Sequence, residues 1–139
     1  EGQLIEEQGI FEEIRLLLNL QLDDAFLITL LLVGQPPVAE RVRRYAPLDQ
    51  RIATRGFLRP LAADDTHEYI AHRLETAGRT DPVFTPQAVE LVHEYSGGVP
   101  RRINNICDIA LVIGYSRKLD AVDGEWMQRL IQVERGDAR

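Results

Sequence analysis

The segment Ser96-Gly97-Gly98-Val99-Pro100-Arg101-Arg102-Ile103-Asn104 brings two glycines, a proline and two arginines to what reads as the start of a helix. Pro100 suits the first helical position, where the N–H it lacks has no intrahelical partner. The glycines admit backbone conformations closed to other residues. A helix start offers unpaired N–H groups and a partial positive charge, and a guanidinium beside it adds planar donors, so a phosphate could be held there. An ordinary loop-to-helix junction with two solvated arginines explains the same residues. Arg101 is the stronger candidate of the pair, because Arg102 is turned from it by about 100° and faces solvent.

Two further polar residues stand where elements end, the usual place for function in α/β proteins. Gln35 follows an apolar run directly, so its amide could orient a water or touch a phosphate. It could equally satisfy the turn backbone before Pro36 and Pro37. Arg51, in Leu48-Asp49-Gln50-Arg51-Ile52, could reach a ligand on a neighbouring subunit, or pair with Asp49. His67, His72 and His93 do not make a metal set, since 67 and 72 fall on different faces of a helix, and all three read as surface residues. No Ser-His-Asp or Cys-His grouping is evident, and no Gly-x-x-x-x-Gly-Lys-Ser/Thr loop occurs.

The elements that must position these residues follow from periodicity. Apolar residues from Ile5 to Leu18 recur at helical spacing, so residues 6–20 read as an amphipathic helix. Residues 25–33, a short continuous apolar run closed by Gly34-Gln35-Pro36-Pro37, read as a strand buried on both faces. Pro37 opens a short helix through Tyr45, and Thr54–Leu58 is a weaker strand candidate. Beyond Arg59-Pro60-Leu61 the pattern is helical throughout: residues 62–77 capped by Gly78, residues 86–96, a helix from Pro100, and a last one over about Asp123–Val133. Thr85 as N-cap, Pro86 at the first position and Phe84 stapling against Val89 make the second of these the clearest.

A chain of 139 residues, 45% hydrophobic, can build the core of one medium domain, or of a small domain plus part of another. The composition is that of a soluble globular protein. A net charge of −6 disfavours a general nucleic-acid binder. The charge is uneven: six arginines at 41, 43, 44, 51, 55 and 59 face only Asp49, whereas residues 1–24 hold seven acids and Arg15 alone. Such asymmetry suits head-to-tail self-association as well as simple solvation. The single cysteine, Cys107, sits at core spacing, excludes an intrachain disulfide and fits a reducing cytoplasmic location. The longest apolar run is too short to span a bilayer, and no signal peptide is visible. The start without Met points to a processed or truncated fragment.

Taken in order, Glu1-Gly2-Gln3, Glu13 to Leu20, Leu32-Val33-Gly34-Gln35-Pro36, Gln50-Arg51-Ile52, Arg59-Pro60-Leu61, Tyr69 to Leu74 and Ser96 to Asn104 resemble the ExeA/GspA-like branch of the AAA+ ATPases. That branch acts in the general (type II) secretion pathway, with relatives in pilus and exosortase-linked export. The resemblance runs over essentially the whole chain and implies an α/β fold. Residues 1–59 would be the second half of the α/β nucleotide domain of a P-loop NTPase, starting at Walker B, and residues 60–139 an α-helical lid. It implies roles for Glu1 in polarising the attacking water, Gln35 as a sensor, Arg51 as an arginine finger and Arg101 as the lid arginine, with ATP and Mg²⁺ as cofactors of the parent protein. The phosphate loop and the metal-holding aspartate are absent, so this fragment alone should bind nucleotide weakly and be inactive.

The leading expectation is therefore a homo-oligomeric ATPase driving assembly or operation of a secretion or export apparatus, cytoplasmic or anchored at the inner membrane through other segments. The alternatives are a DNA-handling AAA+ protein of the transposition-helper or initiator type, and a non-catalytic helical interaction module.

Overall fold

The computed structural model describes residues 8–20 and 27–136 of the chain. It divides into two compact units, Glu1–Phe57 and Leu58–Arg139. The first unit contains α1 (Gln8–Leu17), α2 (Pro36–Arg44) and the short α3 (Ala46–Asp49). Phe11 from α1, Val38 and Val42 from α2 and Leu48 from α3 form its core, with Ile14, Leu18, Leu32, Tyr45 and Ile52 packed around them. Phe11 and Tyr45 stack with ring centroids 6.1 Å apart. At the same contact Arg15 holds Glu12 through two guanidinium nitrogens, at 2.8 and 2.5 Å, and the Tyr45 hydroxyl donates to the same carboxylate. These hydrogen bonds, Arg15 first, hold the Glu12 carboxyl at about 2, well below the usual carboxylate range.

The expected α/β fold is not found: every regular element among the described residues is a helix, and no strand is formed. The apolar run illustrates why. Over residues 28–35 the backbone takes no regular structure, and Leu31 and Val33 are 84% and 65% exposed, while Leu32 alone packs on the core. A run apolar on both faces encodes a demand for burial, but a strand exists only where neighbours accept its N–H and C=O groups. None of the described residues supplies that neighbour. Ala25 and Phe26 of the same run lie outside the described residues. Residues 54–58 likewise form no strand, and Phe57 and Leu58 are exposed.

The second unit is a four-helix assembly of α4 (Ala63–Thr76), α5 (Pro86–Ser96), α6 (Pro100–Ser116) and α7 (Gly124–Glu134). Two of its helices, α5 and α7, start at side-chain caps. The Thr85 hydroxyl accepts from the Ala88 amide at 3.3 Å, and the Asp123 carboxylate accepts from the Trp126 amide at 2.8 Å. Phe84 and Val89 are both buried, as a staple requires. α5 lies at the centre, packed on α4, α6 and α7. Ile103, Ile106 and Met127 are nearly or wholly excluded from water in the core between them. Cys107 shares that core, and burial pushes its thiol up to about 12. A parallel bridge between Phe84 and Val122 ties the two inter-helix connections together, with Val122 donating to the Val83 carbonyl at 2.7 Å and Thr85 to the Val122 carbonyl at 3.0 Å. No helix among the described residues is long and apolar enough to cross a membrane.

Candidate functional site

The Ser96–Asn104 segment forms the turn between α5 and α6, and its geometry assigns most of its residues a structural task. Gly97 ends α5 in the left-handed conformation at φ 63°, donating to the His93 carbonyl at 2.8 Å. Gly98 follows at φ 71°, where its carbonyl accepts from the Leu61 amide at 2.8 Å. A Cβ at Gly98 would overlap the Leu61 carbonyl, so only glycine fits this close approach. Buried Ser96 fastens the turn, its hydroxyl donating to the His93 carbonyl and accepting from the Gly98 amide, each at 3.2 Å. His93 is not a free surface residue. Its Nδ1 lies 2.9 Å from the Thr66 hydroxyl, which donates to the Ala62 carbonyl, so Nδ1 carries the proton and donates to Thr66.

This bonding bears on anion capture. Pro100 has no N–H, the amide of Val99 is bonded to the Ser96 carbonyl, and those of Arg102 and Ile103 are bonded to the Val99 carbonyl. The turn therefore presents few backbone donors, and its chemistry rests on the side chain of Arg101, which is exposed in the first turn of α6. That guanidinium makes no ion pair or hydrogen bond with the described residues.

Gln35 and Arg51 are similarly uncommitted. Gln35 is the N-cap residue of α2, exposed; its carbonyl accepts from the Val38 amide at 2.9 Å, but its side chain makes no capping bond. The amide side chain is therefore not used to satisfy the turn. Arg51 is exposed just beyond α3, and Asp49 pairs with Arg55 at 2.5 Å, so the pairing that would have accounted for Arg51 goes elsewhere. Its charge bears instead on Glu12. Gln35 and Arg51 belong to the first unit and Arg101 to the second; Glu1 lies outside the described residues. No cluster of His, Cys, Asp and Glu among the described residues could hold a metal ion.

One arrangement escaped the sequence. The guanidinium of Arg102, rather than merely facing solvent, lies over the Tyr95 ring at 5.3 Å from its centroid, and that of Arg135 lies at 5.7 Å from the same centroid. Tyr95 lies in α5, Arg102 lies in α6 and Arg135 follows α7, so no periodicity within one element links them. Tyr69 donating to Asn104 at 3.1 Å is a second non-local contact of this kind, from α4 to α6.

The comparison with known proteins decides the family. The chain is 42% identical over 111 residues to general secretion pathway protein A of Aeromonas hydrophila. It belongs to the general secretion pathway protein A family. The aligned region is 78% of this chain and 20% of that relative, so the chain spans about a fifth of the length of the protein it matches. No family model matches the chain, and no solved structure matches it.

Proposed function

We propose that this chain is the helical part of a longer, oligomeric protein that hydrolyses ATP with Mg²⁺ to drive assembly or operation of a secretion apparatus. The observation that carries the reading is the 42% identity to general secretion pathway protein A over most of the chain. Three polar side chains support it. Gln35, Arg51 and Arg101 are exposed, and each is passed over by the intramolecular bonds nearest to it: the α2 cap, the Asp49 ion pair and the turn amides. Polar groups held at element ends without intramolecular partners are suited to meeting a ligand.

In this reading nucleotide is held by other parts of the longer protein, because the chain contains no phosphate-cradling glycine loop. Charge develops on the oxygens of a transferred phosphoryl group, and a guanidinium meets such oxygens with two parallel donors. Arg101 would act on the phosphates within its own subunit, and Arg51 on those of the next. Gln35 would orient water, and Glu1 would polarise it. The partners are further copies of the protein and components of the secretion apparatus. The test is Mg²⁺-dependent ATP hydrolysis by the full-length protein, alone and as Glu1→Gln and Arg51→Ala. Turnover should fall by about 10²-fold or more in each variant. Absence of Mg²⁺-dependent hydrolysis in the unaltered protein would sink the proposal.

A further inference from the structure

We infer that the cleft between Tyr95, one face of α6 and the end of α7 binds a peptide segment of another protein in which a carboxylate side chain stands beside aliphatic ones. The cleft has a volume of about 430 Å³. Arg102, Asn105, Ile106 and Ile109 line it at the spacing of a single helix face, with Tyr95 and Glu134 on the flanks. Arg102 of this lining shares the Tyr95 ring with the guanidinium of Arg135, the residue after Glu134. Neither is ion-paired with a carboxylate among the described residues, although Asp108 and Glu134 line the same cleft.

Each guanidinium on the ring carries a full positive charge, and an incoming carboxylate is attracted to both. Stacking on the ring also holds each guanidinium's donors in place before the ligand arrives, which lowers the ordering cost of binding. Half-buried Ile109 gives the floor an apolar surface for an aliphatic neighbour, backed by buried Ile106. The Asn105 amide can both donate to and accept from an extended backbone. Asp108 and Glu134 decide between ligand classes: they repel a polyanion such as single-stranded nucleic acid, but they can accept from peptide N–H groups. A single carboxylate on a peptide therefore matches the cleft better than a chain of phosphates. The inference does not depend on ATP hydrolysis, since none of these residues is assigned to it.

The test is fluorescence anisotropy of the 139-residue chain with a fluorescein-labelled peptide, Ser-Gly-Leu-Glu-Leu-Gly-Ser, and with the same peptide carrying Gln in place of Glu. We expect saturable binding of the Glu peptide below about 1 mM and about tenfold weaker binding of the Gln peptide. Arg102→Gln and Arg135→Gln should each weaken the Glu peptide about fivefold or more, with unchanged far-UV circular dichroism. Tyr95→Phe, which keeps the ring, should preserve binding. Equal affinity for the two peptides, no saturation, or indifference to Arg135→Gln would overturn the inference. So would tighter binding of a labelled oligothymidine, which would assign the cleft to nucleic acid instead.

Discussion

Gly98 carries the most demanding backbone position described in the chain, and the reason is visible in two neighbouring residues. Gly97 and Gly98 both have positive φ, but the space around a Cβ at Gly97 is open, whereas at Gly98 it is filled by the Leu61 backbone. Gly97→Ala should therefore cost about 1 kcal/mol, the penalty for a left-handed alanine. Gly98→Ala should cost about 2–4 kcal/mol, because the chain must also move away from Leu61. Urea denaturation of the two variants measures the difference. Glu12 gives a residue-scale prediction in pH. Its folded carboxyl is held at about 2 against 4.5 in the unfolded chain, chiefly by the Arg15 hydrogen bonds. A depressed acid stabilises the fold fully above its unfolded value, and that contribution is lost as pH falls through the folded one. The stability advantage of the unaltered chain over Glu12→Gln should thus be constant near neutrality and shrink between about pH 4.5 and about pH 2. The resonances of α1 followed by NMR through denaturation report it; an advantage that grows with acid would reverse the sign.

At the scale of elements, local signals were read where the determinant is local. Thr85, Pro86 and Phe84 announce α5, and Asp123 announces α7, because a cap needs only a side-chain oxygen and an amide a few residues on. Thr85→Ala and Asp123→Ala should each lower the stability of the second unit by about 1 kcal/mol, measured by urea denaturation with Trp126 fluorescence as the probe. Strands are a different case. The apolar run before Gly34 has the composition of a buried strand, yet its pairing depends on residues elsewhere, and the described chain leaves most of its side chains exposed. The sequence-based α/β assignment failed at that step: hydrophobicity was taken for pairing. The sequence does not announce α3, because a four-residue helix is little more than one turn, too short for an apolar pattern to repeat. Helical geometry separates Arg102 from Arg101 by about 100° but does not say where Arg102 goes: its convergence with Arg135 on Tyr95 depends on how the helices pack, and no spacing along the chain encodes it.

Across the molecule, each unit has its own core, one around Phe11 and the other around Ile103 and Met127, and the candidate functional residues are divided between them. A chain that spans about a fifth of its relative need not perform the whole activity. On the proposed reading it contributes exposed polar groups fixed by rigid surroundings: Gln35 by the prolines that open α2, and Arg101 by the glycine turn clamped on Leu61. On the proposed reading the turn is scaffold and Arg101 is the group it presents. The most direct test is ATP hydrolysis by the full-length protein carrying Arg101→Ala, with the exposed Arg73→Ala as the comparison and thermal unfolding recorded for both. Unfolding temperatures should stay within a few degrees of the unaltered protein. Turnover should fall by about 10²-fold for Arg101→Ala and stay within about twofold for Arg73→Ala. Full turnover by a well-folded Arg101→Ala protein would contradict that reading.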